Sequence, residues 1–441
     1  MTHVFHRAPN HSYPVAEKGD GAYIVDKDGK RYFDAGGAAV SCLGHSNEAV
    51  NTAIKEQVDR ISFAHSGFFT NEPMEELAEF LAKRAPGDLD RVYFVSGGSE
   101  AVEAALKLAR QYFLEKGEPS RTRFISRRQS YHGNTLGALS AGGNEWRREP
   151  YAPLLMPVAL IAPCYAYRGK QDGESDFDFG QRVAGELEEQ ILEAGPETIA
   201  AFICEPVVGA TLGAVPAVEG YFKRIREICD TYGVLLILDE VMCGMGRTGT
   251  LFAHEQEHIT ADIMVTAKGL GAGYQPIGAM LASDKIFRAV SGGSGFFQHG
   301  HTYLGHPVAC AASLAVQKYV EENNLLQNVR DMGQLLMDEL RSIFGQHPHV
   351  GDIRGRGLFL GIELVADRES KETFDPARKI NSRIKAAALS KGLMCYPMGG
   401  TVDGRRGDHI LLAPPFIMER AHIDEIVGGL DHAINSVLEA G

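Results

Sequence analysis

Two short apolar runs, Val234–Leu238 and Asp262–Val265, do most to limit what this chain can fold into. Each is rich in β-branched or large aliphatic residues and stops at a polar group, which is how a buried strand delivers a side chain at its end. The first run delivers Asp239 and the second Lys268. In an open parallel sheet, ligands bind outside the carboxyl ends of the strands, so both groups can point into one crevice. One reading of the pair is a salt bridge between two unrelated strand ends. The other is chemical: a lysine that forms a Schiff base with pyridoxal phosphate, and a carboxylate that keeps the pyridine nitrogen protonated. The pair alone leaves both open.

The flanking sequence supplies the sheet. Arg91–Val95 reads as a strand, followed by Ser96-Gly97-Gly98-Ser99 and by a segment whose Val102, Leu106, Ala109 and Phe113 recur at helical spacing. Strand, glycine-rich turn and helix N-terminus present free N–H groups and the positive end of a dipole to an anion. The turn matches neither the Walker pattern nor GxGxxG, and an ordinary tight turn is the alternative. Arg123–Ser126 reads as a strand leading into Tyr131-His132-Gly133, where the aromatic could lie on a planar ring or fill the core. Ile199–Cys204 is another apolar run, ending at Glu205, and a helix over 220–232 closes at Gly233. Strands alternating with helices give an α/β chain with a mostly parallel, doubly wound sheet.

Outside that region, AYIVD and KRYFDA around Lys27-Asp28-Gly29 signal a hairpin, with helices expected near 47–61 and 73–84. Residues 145–178, rich in Pro, Tyr and Gly, read as a surface excursion, and 291–300 as a glycine-rich loop. Beyond residue 328, helices and strand pairs suggest a smaller α/β unit. The expected division is an N-terminal segment (1–60) packing with the small domain (328–441), and a large domain (61–327).

The formal charge of −13 argues against nucleic acid or an anionic membrane surface as a partner. No run approaches the ~20 apolar residues of a membrane span. Seven scattered cysteines with no CxxC pair read as reduced thiols, and a cytoplasmic location is expected. Two strings imitate metal sites. His254–His258 matches HExxH but lies in a segment too short for the helix that motif needs, and the His299/His301/His306 group alternates with glycine. No metal is expected.

Taken together, SGGSEA (from Ser96), Tyr131-His132-Gly133, LDEVMCGMGRTG (Leu238–Gly249), TAKGLGAG (Thr266–Gly273) and HGHTYLGHP (His299–Pro307) resemble class III, or ω-, aminotransferases in order and spacing. These are pyridoxal 5′-phosphate enzymes of fold type I, and the resemblance covers nearly the whole chain. It implies that Lys268 is the Schiff-base lysine and proton shuttle, with Asp239 at the pyridine nitrogen. Val241 would pack under the ring and Tyr131 on its other face, with His132 and Glu205 in support. Gly98 and Ser99 would hold the phosphate, although the extra Gly97 departs from the usual SGSEA. Thr302 would reach the phosphate of a neighbouring subunit, implying a homodimer or tetramer with sites shared across the interface.

The same resemblance implies transfer of an amino group from an amine, ω-amino acid or diamino acid to a 2-oxo acid, pyruvate or 2-oxoglutarate. Relatives that isomerise, epimerise or decarboxylate on the same fold are the alternative, and a half-reaction with a keto acid separates them. Arg405 or Arg406, in the segment matching the family's C-terminal GDHxxxxPP region, is the candidate carboxylate clamp, because guanidinium pairs bidentately with carboxylate. Phe68, with Phe69 and the segment 38–42, is expected to wall the substrate pocket.

Overall fold

In the computed structural model, which describes residues 3–438, the two apolar runs are adjacent parallel strands, Leu235–Asp239 and Ile263–Thr266, with Asp239 opposite Val265. They sit inside a seven-stranded sheet. Its order is Arg91–Val95, Gly278–Ala282, Ile263–Thr266, Leu235–Asp239, Ile199–Cys204, Arg123–Arg127 and Val158–Ile161. All run parallel except Gly278–Ala282, which is antiparallel to both neighbours. Every residue of the strands at 199–204 and 235–239 is buried, so both faces of the sheet must be covered. Successive side chains supply the two faces in turn. Ile237 packs with Val102, Ala105 and Ala109 of helix Gly98–Glu115, whereas Leu236 and Leu238 pack with Phe179, Leu187 and Ile225 of helices Asp176–Ala194 and Tyr221–Tyr232.

The expected surface excursion is only partly that. Its residues Val158–Ile161 form the edge strand of the central sheet, paired in parallel with Phe124–Arg127. The glycine-rich loop is likewise preceded by a helix, Asp284–Gly292, which the sequence reading lacked.

At the N-terminus, strands Ala16–Asp20, Tyr23–Asp26 and Arg31–Asp34 form an antiparallel meander, and the last of these pairs in parallel with Leu393–Met394. A four-stranded antiparallel sheet follows, ordered Val350–Arg356, Phe359–Leu364, Asp408–Leu412, Tyr396–Gly399. One apolar cluster draws on Phe33, Leu43 and Val50 as well as Leu336, Ile362, Leu412 and Leu430, so the two chain ends share a core. Helix Pro307–Glu322 joins that core to the central one, giving Val316 and Val320 to the first and Cys310 and Leu314 to the second. No described helix is long and apolar enough to cross a membrane.

Candidate active site

The carboxyl edge of the parallel strands opens into a cavity of about 280 Å³. Lys268, Asp239, Glu205 and Tyr131 reach it from the ends of different strands, and Gly98, Ser99, His132 and Val241 complete the group that the sequence singled out. This convergence follows from topology, since each residue lies just past, or at the last position of, a strand running the same way.

Lys268 opens a short 3-10 turn, Lys268–Leu270, with φ of +43°. A left-handed backbone at a non-glycine residue costs about 1–3 kcal/mol and persists only when its surroundings over-determine it. Here the buried Gln317 amide donates to the carbonyls of Gly269 (3.0 Å) and Leu270 (2.9 Å) and holds the turn. Enclosure of the ammonium lowers the Lys268 pKa to about 8, against the opposing pull of Asp239 and the Cys243 thiol.

Asp239 is fixed from two sides. Its Oδ1 accepts from the Val241 N–H at 3.0 Å, and its Oδ2 lies 2.7 Å from His132 Nδ1. Burial pushes the His132 pKa down, but Glu205 and Asp239 outweigh it and the pKa ends above the ordinary value. Glu205 in turn accepts from the Tyr131 N–H (3.0 Å) and faces the buried Arg127 guanidinium (3.3 Å). The two acids therefore lock the Tyr131–His132 loop over the strand ends.

At the other end of the cavity, helix Gly98–Glu115 begins with small residues. A Cβ on Gly98 would stand 2.9 Å from Val241 Cγ1, and one on Gly133 (φ +137°) 2.5 Å from Ser99 Oγ. The Asn134 N–H donates to Ser99 Oγ at 3.0 Å. This cradle of small residues at a helix N-terminus suits a phosphate. With a carboxylate for a ring nitrogen and a lysine of lowered pKa, the donor set fits pyridoxal phosphate.

Four sequence candidates lie outside the cavity of the single chain. Phe68 sits in an exposed turn and is 80% exposed. Thr302 is on the exposed loop ahead of helix Pro307–Glu322. Arg405 pairs with Glu149 and Arg406 with Asp403, each at 2.7 Å. These surface carboxylates hold both guanidiniums away from the strand ends.

The sequence reading missed Arg7, Arg147 and Tyr396, which line the cavity. Arg147 belongs to a short basic doublet with Arg148, and no local spacing marks it as lining a cavity. The HExxH string falls on a five-residue 3-10 turn, Ala253–Glu257, where the buried His254 places Nδ1 2.6 Å from Glu240 Oε1. Among the described residues, no cluster of three or more His, Cys, Asp or Glu is placed to hold a metal ion.

The comparisons agree with this geometry. The family model described as Aminotransferase class-III matches residues 5–434. An uncharacterized aminotransferase of Schizosaccharomyces pombe is 45% identical, covering 99% of this chain and 96% of its own. The diaminobutyrate–2-oxoglutarate transaminase of Halomonas elongata is 36% identical over 97% of this chain and 91% of its own. Among solved structures, an (S)-enantioselective ω-transaminase from Thermomicrobium roseum superposes with a TM-score of 0.93 at 38% identity, covering 99% of this chain and 96% of its own. The ω-transaminase of Pseudomonas jessenii in complex with PMP gives 0.92 at 34% identity, covering 100% of this chain and 97% of its own. A sheet that brings a lysine and an acid to one cavity, and a family match over nearly the whole chain, lead to one conclusion: the chain is a class III aminotransferase of fold type I, and its cofactor is pyridoxal 5′-phosphate.

Proposed function

We propose that the chain moves an amino group from an amine or amino acid to a 2-oxo acid in two half-reactions at this cavity, with Lys268 as both cofactor anchor and proton carrier. The observation that carries this reading is the placement of the enclosed Lys268 amine in one cavity with Asp239, and that enclosure lowers the lysine's pKa. A general base works best with a pKa near the operating pH, and an ordinary lysine at ~10.4 is far from it.

When bound, pyridoxal phosphate supplies an electron sink that makes a proton next to nitrogen removable. The protein's part is to position groups. Asp239, itself held by His132, keeps a proton on the ring nitrogen. Tyr131 and Val241 supply packing faces, and Gly98 and Ser99 bind the phosphate through the helix N-terminus. Lys268, uncharged above about pH 8, takes the substrate proton and returns it.

Thr302 serves the phosphate of a second subunit, and the working form is a homodimer. Exposed Phe68, Phe69 and Tyr303 in the same region support an interface there. Seven free, buried cysteines support residence in a reducing compartment.

The test is a donor screen of amines, ω-amino acids and diamino acids against the holoenzyme alone, followed by pyruvate or 2-oxoglutarate. A donor that bleaches the visible cofactor band, restored by keto acid, supports transamination. Bleaching that no keto acid reverses, or product formation with no acceptor, overturns it.

A further inference from the structure

The cavity mouth carries cations that the cofactor chemistry does not use. Arg147 stacks on Tyr131, its guanidinium carbon 4.7 Å from the ring centre, and Arg7 reaches the same cavity from the irregular N-terminal segment. Arg405 and Arg406 are neutralised at the surface, whereas neither Arg7 nor Arg147 has a carboxylate partner among the described residues. The acids that do line the cavity are committed: Glu205 to Arg127 and the Tyr131 N–H, Asp239 to His132 and the Val241 N–H. Two guanidiniums without a carboxylate partner therefore border one cavity whose own carboxylates are already engaged.

Arg147 is held ready. Its short helix, Glu145–Arg148, is capped by Asn144 Oδ1, which accepts from the Arg147 N–H at 3.3 Å, and the Asn144 amide donates to the buried Gln129 at 2.8 Å. The next residue, Arg148, ties the helix down through the carbonyls of Ser140 (2.5 Å) and Gly142 (2.6 Å). The C-terminal loop backs it at Gly404, where a Cβ would come within 3.0 Å of the Trp146 nitrogen. A guanidinium set over an aromatic ring, with no side-chain ion pair of its own, keeps N–H groups for a bidentate carboxylate. Arg7, on a segment without regular structure, can adapt to a second anionic group.

We propose that Arg147 binds the carboxylate beside the reacting carbon, that Arg7 binds a second, distal carboxylate, and that the preferred amino acceptor is a dicarboxylic 2-oxo acid. One carboxylate would satisfy one guanidinium and leave the other facing it as a like charge. A dianion neutralises both. This inference rests on the transaminase reading of the cavity.

The holoenzyme is assayed with one amine donor and three acceptors: 2-oxoglutarate, pyruvate and uncharged butanal. Wild type is expected to favour 2-oxoglutarate over pyruvate by about 10-fold or more in kcat/KM, the worth of one charge-assisted contact. R147Q should lose about 10–100-fold more with either keto acid than with butanal, mainly through KM, with R147K intermediate. R7Q should lose about 10-fold with 2-oxoglutarate and less than that with pyruvate. The controls R405A and R406A should keep the wild-type KM for both acids. Unreactive glutarate, titrated calorimetrically into the holoenzyme, should bind more tightly than butyrate in wild type but not in R7Q. A wild type that prefers pyruvate, an R147Q variant equally impaired with butanal, or R405A or R406A raising KM in place of R147Q overturns the assignment while leaving transamination standing. Failure of wild type with all three acceptors overturns transamination as well.

Discussion

Lys268 has a left-handed backbone in a chain of L-residues, and its neighbours explain how that is tolerated. Gln317 grips the two carbonyls that follow. Gly269 lies where a Cβ would press on Met245 Cβ at 3.1 Å and Cys42 Sγ at 3.2 Å. The turn fixes where the amine starts, and the enclosure makes it easier to deprotonate. A pKa lowered to about 8 means the apo protein holds an ammonium below that pH and a nucleophilic amine above it. Capture of pyridoxal phosphate by apo protein should therefore accelerate as pH rises through about 8, followed by stopped-flow absorbance; a midpoint near 10 would mean the amine is not desolvated. The linkage has the same sign. Between about pH 8 and ~10.4 the unfolded chain holds more protons on this lysine, so its contribution to apo stability rises with pH across that window. Asp239 and Lys268 were legible in sequence because each ends an apolar run. Arg147 and Arg7 were not, because nothing local tells an arginine stacked over a cavity from one in solvent.

The Tyr131–Asn134 loop and helix Gly98–Glu115 meet at Gly133, whose φ of +137° and contact with Ser99 leave no room for a side chain. Gly133→Ala should weaken cofactor binding by about 10-fold or more, given ~1–3 kcal/mol of backbone strain, with the far-UV spectrum unchanged. Equilibrium dialysis of the cofactor measures this, and wild-type affinity would place the phosphate elsewhere. The central strands and their helices were readable from periodicity, since buried parallel strands are continuous apolar runs. The edge strand Val158–Ile161 was not. It is four residues long between Pro157 and Pro163, and only pairing with Phe124–Arg127 makes it a strand. The helix at 284–292 was hidden by the glycines that follow it, although Ser283 and Asp284 are ordinary start signals.

At the scale of the molecule, the two chain ends share one core and the central sheet has its own, with the cavity at the carboxyl edge of that sheet. The loops around Phe68 and Thr302 share an exposed aromatic surface, with Phe63 and Tyr303 rings 5.9 Å apart. Light scattering of the holoenzyme should give at least twice the chain mass, and Thr302→Ala should loosen the cofactor. A monomer with full activity would contradict the shared site. The role proposed for Thr302 at a second subunit comes from the family resemblance alone, since no spacing or periodicity in the sequence marks Thr302 or Phe68 for it.

The central claim is that the cofactor is anchored by the amine at position 268. Borohydride reduction of the holoenzyme followed by proteolysis and peptide mass mapping tests it directly, with Lys268→Ala alongside. Expected is one pyridoxyl group per chain on the peptide containing Lys268, and in the variant no trapped group and turnover lower by at least ~10²–10⁴-fold, the usual worth of a general acid–base group. A pyridoxyl group on a different lysine, or wild-type turnover in the variant, would contradict it.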